Sequence, residues 1–220
     1  MKPILRDVPE FFETERLIVR CPRAGDGQLV HEAVVETLSD LRAWPASLPW
    51  AMYEPSVTAS EEFCRRGQVE YLSRTGFPML LFHKADNCYV GGSGLHDISW
   101  EVPSSEIGYW CRRRYQRQGL ITEAVRGVVA FACTVLGMRR IVSLADAENL
   151  PSCLVAERAG FDLEGTLRQE RKAPDGSLRN TRVYAWIRPS TNGLNHPPDR
   201  DKADPHSVFM TLELPGRSGS

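Results

Sequence analysis

Tyr109-Trp110-Cys111-Arg112-Arg113-Arg114-Tyr115-Gln116-Arg117-Gln118-Gly119-Leu120-Ile121-Thr122-Glu123-Ala124 is the stretch from which the rest of the chain can be read. A short aromatic strand runs into an arginine-rich turn, then a glycine, then the first turn of a helix with apolar periodicity. Such a layout points unpaired backbone N–H groups and the positive end of a helix dipole at one spot, which suits a phosphate. Arg112, Arg113, Arg114 and Arg117 stand out in a chain whose net charge is −1. A basic run alone reads as a solvated turn; the strand–glycine–helix context is what favours an anion site. Gly119 lets the backbone approach a ligand where a Cβ would intrude. The stretch is not a Walker loop, since no Gly-Lys-Ser/Thr follows. It is not a Rossmann fingerprint either, because the glycine triplet is absent.

Working outward, 220 residues with 42% apolar and 25% charged content predict one globular domain with a full core. The near-neutral charge gives no reason to expect nucleic-acid or membrane-surface binding. Met1 to Asp7 lack the apolar core of a signal peptide, and no apolar run is long enough to span a bilayer. The six cysteines form no C-x-x-C pair, so they read as buried thiols in a reduced, cytoplasmic protein without a metal centre. After Arg188 the apolar residues nearly vanish. The expected organisation is therefore a domain over residues 1–188 and a polar, partly disordered extension over 189–220, in which Ser207 to Leu214 either adds a strand or stays mobile.

The coarse elements follow from periodicity and breakers. Thr14 to Arg20 reads as a first strand, Gly27 to Thr37 as a helix, and Leu41 to Trp50 as a proline-broken loop. A helix capped by Thr58 or Ser60 runs to about Leu72. Met79 to His83 and Cys88 to Val90 form a hairpin, and Gly91 to Gly94 break its second strand before Leu95 to Ile98. Glu106 to Cys111 is the strand before the turn. Leu120 to Leu136 is a helix ended by Gly137, Arg140 to Ala145 a strand, Asn149 to Ala159 a helix, and Phe161 to Ile187 a last hairpin. The order β-α-α-β-β-β-α-β-α-β-β predicts an α/β (α+β) fold, a central mixed sheet covered by helices.

Several segments together resemble the GNAT superfamily of acyl-CoA-dependent N-acetyltransferases, closest to its RimJ/RimL-type branch. They are Thr14-Glu-Arg-Leu17, Glu106-Ile-Gly-Tyr-Trp110, Gln116-x-x-Gly119-Leu-Ile-Thr-Glu123-Ala124, Asn149-x-x-Ser152, Glu157-Arg-Ala-Gly160-Phe161 and Arg182-Val-Tyr184-Ala185. The resemblance covers roughly Phe11 to Ile187. It implies a mixed, mostly antiparallel sheet and acetyl-CoA as co-substrate, without a metal. Backbone of Gln116, Arg117, Gln118, Gly119, Leu120, Ile121 and Thr122 would hold the pyrophosphate. Trp110, Cys111 and Arg112 would hold the pantetheine arm on a splayed strand, with a backbone N–H such as that of Cys111 stabilising the oxyanion. The family signature has Gly or Ala where this chain has Ile121. Asn149 would contact the pantetheine and Ser152 the sulfur; as residues alone, both read as helix caps.

The tyrosine that many members use as general acid is replaced here by Ala156, leaving Ser152 as the substitute. Two carboxylates are candidate bases: Glu106, otherwise a strand-edge charge, and Glu170, otherwise a solvated hairpin carboxylate. His96 could relay a proton, although a lone strand histidine is commonly structural. Trp44 and Trp50 would wall the acceptor groove or serve as packing anchors. The implied reaction is direct attack of a primary amine on acetyl-CoA in a ternary complex. The acceptor is expected to be a protein N-terminal α-amine, with a small-molecule amine or antibiotic as the alternative. A non-catalytic acyl-CoA sensor is the rival from another class. Oligomeric state, including a homodimer, stays open.

Overall fold

The computed structural model describes residues 2–189. The expected extension, including the segment from Ser207 to Leu214, lies outside the described residues. The chain forms strands β1 (Phe11–Glu13) and β2 (Leu17–Arg20), helices α1 (Gly27–Leu41) and α2 (Val57–Ser73), and strands β3 (Phe77–His83), β4 (Cys88–Ser99) and β5 (Ser104–Cys111). Helix α3 (Leu120–Phe131), strand β6 (Arg140–Asp146), helix α4 (Leu150–Arg158) and strands β7 (Asp162–Lys172) and β8 (Leu178–Ile187) complete it.

One eight-stranded sheet has the order β1-β2-β3-β4-β5-β6-β8-β7. Every neighbouring pair is antiparallel except β5 and β6, which run parallel. That exception matters. The parallel ladder holds only from Ser104 to Glu106, opposite Arg140 to Val142, so β5 and β6 part company beyond Glu106. The alternation of strand side chains divides the core between the two faces. Leu81, Val90 and Ile107 pack with α3 and α4, while Leu80, Tyr89 and the partly buried Trp110 pack with α1 and α2.

Helix α3 is the best-defined element of the sequence. Leu120, Ala124, Val125, Val128 and Val129 line its buried face, each large aliphatic worth about 1.5–3 kcal/mol on burial. It continues through a π-type turn, Ala132–Leu136, and stops where Gly137 adopts φ +77°.

Four expectations need correction. The first strand is a tight hairpin of two, because Phe12, in β1, is buried against Phe131 and earns a strand of its own. Helix α1 runs to Leu41 rather than Thr37, since Leu41 is also buried in the core. The cap of α2 is Ser56, whose hydroxyl accepts the Ala59 N–H at 3.0 Å, not Thr58 or Ser60. The glycines from Gly91 to Gly94 do not break β4. They let one strand run unbroken past Trp110: a Cβ on Gly91 would run into the Trp110 carbonyl oxygen, and one on Gly92 would lie 2.9 Å from the indole nitrogen.

Candidate active site

The turn between β5 and α3 is built in two parts. In the first, Arg112 is buried and its Nε donates to Glu36 of α1 at 2.7 Å. Arg114 donates to the same carboxylate at 2.6 Å, and Arg113 pairs with Asp40 at 2.7 Å. The Gln116 amide also donates to Asp40, at 3.1 Å. Hydrogen bonds from Arg114, opposed by burial and helped by Arg112, lower the Glu36 carboxyl to about 2. Three of the four arginines of the run are thus ion-paired with carboxylates of α1.

The second part is backbone. Arg117 and Gly119 both take left-handed conformations, φ +61° and +76°. Alternation of that kind turns successive N–H groups to one side, an anion-binding nest. The N–H groups of Gly119, Leu120, Ile121 and Thr122 find no acceptor among the described residues, as the first turn of a helix requires. The glycine is required for its φ, and the space beside it is open; a Cβ would meet only the Arg16 guanidinium, at 3.6 Å. Ile121 points into the core, so the family's missing small residue does not crowd the turn.

Beside this nest lies the cleft where β5 and β6 diverge. The Arg112 N–H donates to Val90 of β4 at 2.7 Å, so strand alternation leaves the main-chain groups of Tyr109 and Cys111 facing the cleft. Asn149 caps α4, accepting the Ser152 N–H at 3.2 Å. Ser152 itself meets a residue that the sequence reading had not singled out. The Tyr109 hydroxyl spans the cleft, donating to the Ser152 carbonyl at 3.0 Å, with the Ser152 and Ser143 hydroxyls each 3.4 Å away. Burial pushes the Tyr109 phenol upward, so it stays protonated at neutral pH. Ala156 is fully buried and offers nothing to the cleft.

At the closed end of the cleft, where the β5–β6 ladder stops, stands Glu106, with the second candidate base, Glu170, near enough to act on its charge. Burial raises the Glu106 carboxyl above the ordinary range, opposed by His96 and Arg171 and reinforced by Asp97 and Glu170. Glu170 accepts the buried Thr181 hydroxyl at 2.7 Å and is ion-paired with Arg171, whose Nε lies 3.2 Å away. A bulge in β7 carries it there, with Gln169 at φ +54° and its N–H held by Asn180. Arg171 reaches on to the Ser47 hydroxyl, 3.2 Å away, tying β7 to the loop after α1. Of the two tryptophans in that loop, Trp50 lies beside Trp110, ring centroids 6.3 Å apart, and stays half exposed. Trp44 sits in the turn that closes α1 and has no aromatic partner among the described residues. Tyr109 and Arg171 were the residues missed. Only the position of Tyr109, next to Trp110, carried any signal.

Comparison with known proteins is consistent with this geometry. Residues 16–162 match the family model described as the acetyltransferase (GNAT) domain. The ribosomal-protein-serine acetyltransferase of Escherichia coli (strain K12) is 32% identical over 144 residues, 64% of this chain and 77% of that protein. Among solved structures, RimL, a ribosomal L7/L12 α-N-protein acetyltransferase in complex with coenzyme A, superposes with a TM-score of 0.71 at 22% identity, covering 82% of this chain and 97% of that one. The microcin C7 self-immunity acetyltransferase MccE, in complex with acetyl-CoA and AMP, gives 0.70 at 18% identity over 79% and 93%. At those identities the two structures speak for the fold.

Proposed function

This chain belongs to the acetyltransferase (GNAT) family, and on that premise we propose that it moves an acetyl group from acetyl-CoA to a protein N-terminal α-amine by direct attack in a ternary complex. The observation that carries the reading is the backbone nest at Arg117 and Gly119 opening beside the β5–β6 cleft, with Glu106 at the far end. The nest N–H groups suit a pyrophosphate. The Cys111 N–H, facing the cleft, suits the developing oxyanion. Acetyl-CoA brings an activated thioester whose thiolate, with a pKa near 8.5, needs modest assistance to leave. The Ser152 hydroxyl, beside the Tyr109 hydroxyl, supplies a hydrogen-bond donor on that side. Glu106 takes the proton from the amine, with Glu170 as the second carboxylate beside it, and Trp50 beside Trp110 walls the acceptor's approach.

The named relative acetylates a ribosomal protein, which favours a protein amine over a small one. An α-amine, with a pKa near 8, is also the acceptor that asks least of a carboxylate base. A reduced cytoplasmic setting fits six cysteines, none of them disulfide-bonded.

The test is thiol release from acetyl-CoA with a panel of N-terminal peptides, diamines and aminoglycosides. Turnover confined to peptides supports the reading, and turnover confined to small amines replaces the acceptor. Tight coenzyme A binding without turnover on any amine makes the chain a sensor. Glu106→Gln is expected to lower kcat by about 100-fold with coenzyme A affinity unchanged. Because burial raises Glu106, the acid limb of kcat/KM should lie above the usual carboxylate range and disappear in that variant. A limb that survives the substitution moves the base elsewhere, with Glu170→Gln the next variant to measure.

A further inference from the structure

Across β4 and β5, three polar side chains form a line that acetyl transfer through Glu106 alone leaves unexplained. His96 and Glu106 are partners in the antiparallel register, so their side chains share one face of the sheet. His96 Nε2 stands 3.8 Å from Glu106 Oε1, one water or a small adjustment away from a hydrogen bond. Its other ring nitrogen, Nδ1, is 2.8 Å from the Asp97 carboxylate. A side chain at Gly108 would touch His96 Nε2 at 3.5 Å, so the ring leans over β5 towards the cleft.

The backbone is bent to make this arrangement. Just after His96 the β4–β5 register slips, and Asp97 takes a left-handed conformation at φ +50°. Aspartate tolerates that conformation better than bulkier residues, but a regular strand would have sent adjacent side chains to opposite faces. The slip instead lets Asp97 reach its neighbour's ring. In the tautomer that donates Nδ1–H to Asp97, Nε2 is the acceptor, and it faces Glu106.

Exposure grades along the same line. The Glu106 side chain is 25% exposed, that of His96 51% and that of Asp97 79%. The other charges near Glu106 are Glu170 and Arg171, brought by β7.

From the acetyl-transfer reading just given, we propose that His96, oriented by Asp97, is the proton exit for Glu106. The acceptor enters as an ammonium and loses one proton to Glu106 before attack. Glu106 passes that proton to His96 Nε2, and the imidazolium, held by Asp97, releases it to bulk water. As the C–N bond forms and the C–S bond breaks, the second nitrogen proton goes to the departing sulfur. Atoms and charge balance: one proton to solvent, one to the thiol. Without the exit, each turnover leaves a protonated carboxyl in the half-buried pocket. His96 is thus a positioning and relay residue rather than one that touches substrate.

The experiment is chemical rescue. Thiol release is measured with wild type, His96→Gly, His96→Gln and Asp97→Asn at saturating acetyl-CoA and peptide, and coenzyme A affinity is measured by calorimetry. His96→Gly and His96→Gln should lose about tenfold in kcat with that affinity unchanged. Free imidazole should restore the glycine variant and leave wild type and Glu106→Gln unaltered. Asp97→Asn should fall less than either histidine variant. A kcat within twofold of wild type in both histidine variants, or a loss in the glycine variant that imidazole does not relieve, overturns the relay. If His96→Gly does not fold, His96→Gln decides by its kcat alone. Should wild type bind coenzyme A yet turn over no amine, the acetyl-transfer reading falls and takes the relay with it. An active wild type with active histidine variants sinks the relay only.

Discussion

The two halves of the β5–α3 turn look alike as sequence and behave differently as structure. In the first half the side chains of Arg112, Arg113, Arg114 and Gln116 matter, and they face Glu36 and Asp40 of α1. From Arg117 to Thr122 the backbone matters, and its N–H groups face outward. On the proposed reading, three guanidinium groups hold a helix in place while uncharged peptide groups meet the anion. A positive sequence therefore does not mark the point of contact. Peptide dipoles fixed by φ do so better, because they are preorganised and cannot be drawn off by a neighbouring carboxylate.

The contrast can be broken most directly at its outward half. Gly119→Trp should weaken coenzyme A binding by about 100-fold or more, the loss of two hydrogen bonds to a charged group at about 1.5–3 kcal/mol each, while α3 stays folded by circular dichroism. Unchanged affinity in calorimetry removes the phosphate from this turn. Gly119→Ala sharpens the point. With only Arg16 in reach of its Cβ, it should suffer the left-handed strain of about 1–2 kcal/mol and a smaller loss of affinity than the tryptophan variant.

The inward half should fail in another currency. Glu36→Gln leaves buried Arg112 without its counter-charge and should lower unfolding stability by about 2–4 kcal/mol, discounted for the partial exposure of Glu36, with coenzyme A affinity nearly intact. The pH dependence has a definite sign. The Glu36 carboxyl is depressed to about 2, so its contribution is present above the ordinary carboxylate range and is lost as pH falls through the folded value. Melting curves of wild type and variant should accordingly converge in acid; curves that stay parallel would contradict the assignment. The smallest effect belongs to Arg117, exposed and without a side-chain partner among the described residues. Arg117→Ala should weaken coenzyme A by about threefold at low salt, and the difference should vanish at high salt.

How far the fold was legible depended on whether a residue's role was local. The periodicity of α3, its stop at Gly137 and the Asn149 cap of α4 were readable, because each depends on contacts within a few residues. Phe12 was not, because only its packing on Phe131, far along the chain, makes its short segment a strand. The glycines of β4 misled for the same reason: the cause of Gly91 and Gly92 is Trp110 on the next strand. At the site, Gly119, Asn149, Ser152 and Glu106 were named from sequence. Tyr109 was passed over because its hydroxyl acts across the gap between β5 and β6, and Arg171 because a bulge in β7 redirects it.

By itself, then, the sequence determined the order of elements apart from the added strand at Phe11–Glu13, the family and the helix N-terminus suited to a phosphate. Those follow from hydrophobic period, glycine and caps, which are short-range. Tertiary structure alone decided which arginines were already neutralised and which hydroxyl enters the cleft. It also decided that His96 and Asp97 line up behind Glu106. Charge and hydrogen-bond partners are chosen by proximity in space, and strand register brings together residues that no local pattern connects.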